Sequence, residues 1–173
     1  MNPWLRVARA EELSAAARGD EALSRALGCA VTPGWAVFSE ALAAAAKAQR
    51  VLEEAGNSGW GTRFVIVGEP PALVGWGGFK SSPDDGDEIA IGYALAPAAR
   101  GRGYATAAVR TMLAEAFADP RVRSVTARTE AFDNPSTRVL ERCGFRRIAE
   151  AVPKEAGGER GTWLWRGVRP EAS

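Results

Sequence analysis

The residues Arg100-Gly101-Arg102-Gly103-Tyr104-Ala105 combine two guanidinium groups with two closely spaced glycines. Glycine accepts left-handed backbone conformations at little cost, so this loop can turn its N–H groups inward. A helix that starts at Tyr104 leaves its first amides without intrahelical partners. Those amides, the positive end of the helix macrodipole and the flanking Arg100 and Arg102 together make a concave anion site, and a phosphate or diphosphate is its natural guest. The same six residues are also compatible with a plain glycine-rich connection carrying solvated arginines. Two other phosphate loops fit less well. A Walker-type loop ends in Gly-Lys-Ser/Thr, whereas Gly103 precedes Tyr104-Ala105; a dinucleotide fingerprint begins directly after a strand, whereas Pro97 to Arg100 intervene here.

Two elements must position this loop. Before it, Ile89 to Leu95 alternates large apolar residues (Ile89, Ile91, Tyr93, Leu95) with small ones (Ala90, Gly92, Ala94, and Ala96 just beyond). A period of two reads as a strand with one core face and one face that lets a ligand approach the backbone. After it, Val109, Met112, Leu113, Ala116 and Phe117 fall on one stripe of an amphipathic helix that Asp119-Pro120 stops.

Composition narrows the function classes. The chain of 173 residues is expected to form one domain, 46% hydrophobic and 25% charged, with formal net charge +1. That balance points away from nucleic-acid and membrane partners. The charge is unevenly placed: residues 1–96 carry eight Lys/Arg against twelve Asp/Glu, and residues 97–147 carry ten against five. The positive segment contains the anion loop, which suits a small polyphosphate ligand. Cys29 and Cys143 are too few and too far apart for a disulfide framework; with no secretory segment read at the start, a cytoplasmic protein with reduced thiols is expected. Histidine is absent, which removes Ser-His-Asp and Cys-His catalysis and imidazole metal ligation, and the carboxylates lack metal-ligand spacing, so no metal is expected.

Along the chain, Trp4–Ala8 reads as a strand, Glu11–Ala17 and Asp20–Leu27 as short helices, and Ala36–Ala55 as a longer helix with Phe38, Ala41, Leu42, Ala45, Ala48 and Leu52 inward. Thr62–Gly68 and Ala72–Lys80 form a hairpin through Glu69-Pro70-Pro71. Val122–Thr129 is a strand, Asn134–Cys143 a helix, and Phe145–Val152 and Thr162–Val168 the last strands, joined by a mobile loop over Pro153–Gly161. The tryptophans are expected to fill the core and cleft walls, with Trp35 and Trp60, beside glycines, the candidates for a cleft rim. The fold class is therefore α/β or α+β with a mixed sheet.

A second segment, Asn134-Pro135-Ser136-Thr137-Arg138-Val139-Leu140-Glu141-Arg142-Cys143-Gly144-Phe145, resembles the Asn-x-Ser-Thr-Arg-Val-Leu-Glu-x-x-Gly-Phe signature of the GNAT superfamily of N-acetyltransferases, in the branch that includes ribosomal-protein N-terminal acetyltransferases. Arg100, Gly103 and Ala105 meet that superfamily's Arg/Gln-x-x-Gly-x-Gly/Ala diphosphate loop, and Ile91-Gly92-Tyr93 with Pro97 is similar to the same branch. The resemblance covers roughly residues 60–150. It implies a GNAT-like acyl-CoA N-acyltransferase fold, a six- or seven-stranded mixed sheet flanked by helices and splayed between the Glu88–Leu95 and Val122–Thr129 strands. The pantetheine arm of acetyl-CoA would lie in the splay against Tyr93, Ala94, Leu95 and Ala96. The diphosphate would sit on Gly101, Arg102, Gly103, Tyr104 and Ala105 beside Arg100, with Thr106 adding a hydroxyl and Asn134 either capping its helix or also binding the cosubstrate.

Direct transfer to an amine needs a neutral amine, a donor for the oxyanion and a proton for the departing thiolate. Family members often assign the last task to a tyrosine at the place Leu140 occupies here; Ser136 is the substitute the resemblance suggests, unless it serves only the start of its helix. For the base, Glu88 is the first candidate: seven residues of strand put it about 23 Å from Leu95, comparable with an extended pantetheine arm. It also ends an acidic turn, and the commonest family carboxylate stands two residues later, where Ala90 is. Glu130 or a water chain are the others. The expected activity is acetyl transfer from acetyl-CoA to a primary amine, on a protein N-terminus or a small molecule, by a monomer or homodimer. An acyl-CoA-binding sensor without turnover and a dinucleotide-dependent oxidoreductase are the competing classes.

Overall fold

The computed structural model of the protein describes residues 3–152 and 161–169. In chain order it contains β1 (Trp4–Val7), α1 (Ala10–Arg18), α2 (Asp20–Leu27), β2 (Ala30–Val31), α3 (Leu42–Glu54), β3 (Thr62–Val67), β4 (Ala72–Phe79), β5 (Glu88–Leu95), α4 (Tyr104–Ala118), β6 (Ser124–Glu130), α5 (Pro135–Arg142), β7 (Arg146–Val152) and β8 (Thr162–Val168). The strands make one open mixed sheet in the order β1-β3-β4-β5-β6-β8-β7, with β2 running parallel beside β4. Seven strands lie on the main path, and β2 is an eighth. Two residues are too short to display a period, so no sequence pattern announced it.

The feature that shapes the rest is the join between β5 and β6. These parallel strands pair from Glu88↔Ser124 to Ile91↔Ala127 and no further. Beyond that point Gly92–Leu95 pairs with β4, and Arg128–Glu130 pairs with β8. The sheet therefore opens between Gly92–Leu95 and Arg128–Glu130, as the resemblance implies.

Each face of the sheet buries a different helix set. Ile89 and Ile91 of β5 pack with Val125 and Ala127 of β6 against Val109, Met112 and Ala116 of α4 and Leu140 of α5. On the other side Leu13, Leu23, Leu42 and Ala46 pack with Trp35 and Phe64 over the β1–β3–β4 end. Arg63, buried on β3, ties the sheet to α4: Nε bonds Glu115 Oε2 at 2.9 Å, and Gly59 and Gly61 carbonyls accept from its other nitrogens. The guanidinium also lies 4.7 Å from the Phe79 ring centre, and its charge is matched by Glu115.

Three expectations are corrected. The helix expected from Ala36 begins at Leu42, after a 3-10 turn at Ser39–Ala41. Phe38 breaks it: its φ is 66°, a left-handed value that L residues rarely adopt, and its side chain is 63% exposed. The inward face of α3 is therefore Leu42, Ala46 and Gln49, with Gln49 bonding the Thr62 amide and the Ser58 carbonyl. Trp35, a rim candidate, is 1% exposed and donates to Asp20 Oδ1 at 2.9 Å, so it packs instead; Trp60 is half-buried and packs on Phe79. Residues 153–160 of the loop expected between β7 and β8 lie outside the described residues. Among the described residues, no helix is long and apolar enough to cross a membrane.

Candidate active site

The loop between β5 and α4 is built from glycines in left-handed conformations, Gly101 at φ 74° and Gly103 at φ 80°. A side chain at either position would meet no atom within 4 Å, so the hollow is open in front of both. Ala107 makes the first bond back to the Gly103 carbonyl. The six successive amides of Gly101 to Thr106 find no acceptor among the described residues. Gly101, Arg102 and Gly103 are exposed and Tyr104 to Thr106 half-buried, so an incoming anion can reach these donors. Behind them α4 runs for fifteen residues with its dipole aimed at the hollow. Arg100 turns back, Nε donating to the Leu95 carbonyl at 3.2 Å and locking the loop to the strand end. Arg102 makes no bond to the rest of the described chain, and neither does the Thr106 hydroxyl.

Along β5 the main chain divides by parity. The carbonyl of Ala90 accepts from Lys80, the carbonyls of Gly92 and Ala94 lie against β4, and Ala96 donates to Val74. In an extended strand neighbouring residues address opposite edges. Tyr93 and Leu95 therefore present their amides to the opening, with the Tyr93 carbonyl between them. Of the four residues expected to meet a pantetheine arm, these two face the opening. The main-chain groups of Ala94 and Ala96 are turned to the sheet instead.

The side chains fall into place around this edge. Tyr93, on the α4–α5 face, sends its hydroxyl to the Ser136 carbonyl at 3.2 Å. That bond bridges the opening from β5 to the start of α5. Burial holds the Tyr93 phenol well above its ordinary ionisation range, so it stays protonated. Ser136 is half-buried with its hydroxyl free of partners among the described residues. Leu140 is fully buried in the core. Asn134 is committed to capping: Oδ1 accepts from the Ser136 and Thr137 amides at 2.9 and 3.2 Å, and Nδ2 donates to the Phe132 carbonyl. Its side chain is thus a cap, with the second N–H of Nδ2 left over.

Glu88 does not stand at the opening. It lies at the paired end of β5, about 13 Å of strand from Gly92, and Oε2 accepts from Ser124 Oγ at 3.1 Å and from Arg166 Nε at 2.9 Å. Its carboxylate is neutralised where β5, β6 and β8 are closed together. Glu130 is on the same sheet face but on the far side of the opening, exposed, its carboxylate without a partner among the described residues. The sequence reading missed the Tyr93 hydroxyl. The available signal was that Tyr93 is the one member of the large-residue row of β5 that carries a polar end. Among the described residues no group of three or more Cys, Asp or Glu is arranged to hold a metal.

Comparison with known proteins agrees with this geometry. The chain is 28% identical over 95 residues to the uncharacterized N-acetyltransferase YjdG of Bacillus subtilis, a match spanning 55% of this chain and 56% of that relative, so little more than half of either is compared. Its fold is similar to that of ribosomal-protein-S5-alanine acetyltransferase from Vibrio fischeri (TM-score 0.69, 15% identity, 96% of this chain and 93% of that one). It is also similar to yncA, a putative acetyltransferase from Salmonella typhimurium solved with acetyl-CoA (TM-score 0.64, 17% identity, 99% and 96%). The family model described as Acetyltransferase (GNAT) domain matches residues 2–146, and with the anion hollow and the parted sheet both present, the chain belongs to that family.

Proposed function

We propose that the protein transfers an acetyl group from acetyl-CoA to a primary amine. The observation that carries the reading is the run of six unpaired amides, Gly101 to Thr106, at the start of α4 and beside an open sheet edge. The diphosphate sits on those amides with Arg102 alongside; the pantetheine arm adds to β5 as a strand would, bonding Tyr93 and Leu95. The thioester then lies near Gly92, where β5 and β6 part. A neutral amine attacks the thioester carbonyl carbon from the small-residue face, the C–S bond breaks, and the amine loses a proton while the sulfur gains one. Ser136 faces the sulfur from the start of α5. Glu130 takes the role first expected of Glu88, because it is the carboxylate that stands across the opening with no cation on it.

Release of CoA thiol, followed with a panel of amines alongside calorimetric CoA binding, tests the reading. Amine-dependent thiol release supports it; tight binding with no turnover on any amine makes the protein an acyl-CoA-binding module. Within an active enzyme, Glu130→Gln is expected to lower kcat by about 100-fold, the low end for a positioned base. Glu88→Gln is expected to stay within about 3-fold of wild type and to cost under about 1 kcal/mol of stability, as an exposed ion pair does. The reverse order of effects would return the base to Glu88.

A further inference from the structure

The face of the sheet turned away from α4 and α5 carries its own charge pattern. Ala90, Gly92 and Ala94 form a floor of small side chains along β5, and Glu88 and Arg166 close its lower end as an ion pair. On one side of that floor stands Lys80, directly after β4. A Cβ built on Gly92 would lie 2.9 Å from Lys80 Cε and 3.3 Å from Nζ, so the ammonium rests over the glycine itself. On the other side, the register Ile91↔Ala127 brings Arg128 level with Gly92 across the opening. Arg128 shares its face with Ser124, Thr126 and Glu130, because side chains alternate along β6 and Val125 and Ala127 are the ones packed with α4 and α5. Neither Lys80 nor Arg128 makes an ion pair or a side-chain hydrogen bond with any described residue.

Two unpaired cations thus face one another over the residue where the proposed thioester lies. The strands that carry them are separated by β5 alone, about 10 Å where all three still pair and wider at the opening, a gap that two long side chains can close onto one anion. Glycine between them leaves the room. We infer that the acceptor is a small amine bearing a carboxylate close to its nitrogen, of the free α-amino acid class, and that Lys80 and Arg128 clamp the carboxylate. This rests on the acetyl-transfer reading and adds the substrate class. The clamp orients the amine toward the opening. Its positive field also disfavours the ammonium form and so enriches the neutral nucleophile. A protein N-terminus, whose carboxyl is consumed in a peptide bond, offers the clamp nothing, and a polyamine is repelled by it.

The test compares the common L-amino acids with their carboxamides, an alanyl peptide and spermidine as acceptors, with acetyl-CoA affinity measured in parallel. The wild-type protein is expected to prefer the best amino acid over its carboxamide by about 10- to 100-fold in kcat/KM, the value of charge-assisted bonds to one carboxylate. In Lys80→Met/Arg128→Met that preference collapses to near unity through KM, while Lys80→Arg retains most of it. Equal or better turnover of carboxamide, peptide or spermidine by the wild type overturns the inference, as does a preference that survives the double substitution. Acetyl-CoA that binds and is transferred to carboxylate-free amines at least as well as to amino acids refutes the clamp alone; acetyl-CoA that does not bind, or reaches no amine, refutes the transfer reading and the clamp with it.

Discussion

Gly103→Asp is expected to fold normally and to lose CoA binding by at least about 100-fold, roughly 3 kcal/mol. Gly103 caps α4 at φ 80°, and a Cβ there meets no atom within 4 Å. Aspartate is one of the few L residues that tolerate this backbone. Its carboxylate would lie at the positive end of a fifteen-residue helix, where a negative charge contributes about 0.3–1 kcal/mol of stability. The same carboxylate satisfies amides that are otherwise reserved for the diphosphate, and it repels the ligand's charge. Gly103→Asn has similar shape without the charge, so it should weaken binding by a much smaller factor. Calorimetry with CoA and thermal melts on both variants separate the outcomes. A Gly103→Asp protein with a wild-type Tm and wild-type affinity would remove the diphosphate from this loop.

The substitution can be designed from sequence because the loop's chemistry is local. Gly101, Gly103 and the stripe Val109, Met112 and Ala116 lie within one short stretch, and backbone freedom and helix periodicity need no distant partner to be read. β5 was legible for the same reason, through its large-and-small alternation. What was not legible depends on register. Whether Glu88 or Glu130 meets the opening is decided by where β5 stops pairing with β6, at Ile91↔Ala127, and no residue spells out that point. Lys80 over Gly92 is likewise a contact between two strands. The Phe38 error has a different origin: alanine-rich residues 36–55 carry helical propensity throughout, yet the left-handed turn at Phe38 overrides it. Packing also accounts for Trp35, whose indole N–H the fold pairs with Asp20, and for the capping role of Asn134, whose Oδ1 takes the Ser136 and Thr137 amides.

The departing thiolate poses the sharper question, since the helix position of the family tyrosine holds buried Leu140. The two hydroxyls nearby are Tyr93 and Ser136, and their ionisation limits what they can do. A thiol ionises near 8.5 and an unperturbed phenol near 10, and burial lifts the Tyr93 phenol still higher. Full proton transfer from either hydroxyl to sulfur would run uphill. Each can instead offer a hydrogen bond to the developing negative charge, and the Tyr93 bond already goes to the Ser136 carbonyl. In the proposed reaction Tyr93 is then a positioning residue that holds the start of α5 against β5, and Ser136 is the expected donor to sulfur. Ser136→Ala is expected to lower kcat by about 10- to 100-fold, somewhat less than the loss of an oxyanion-hole donor, with CoA affinity nearly unchanged. Tyr93→Phe should cost a smaller factor of about 3–10 in kcat. Because Tyr93 acts through Ser136, the double variant should be no slower than Ser136→Ala alone. The pH profile decides the assignment. A phenol raised by burial stays protonated through the usual assay range, so its ionisation should impose no alkaline decline. If wild-type kcat falls above neutral pH and Tyr93→Phe abolishes that fall, Tyr93 ionises during turnover and acts on the sulfur as an acid, beyond holding the start of α5.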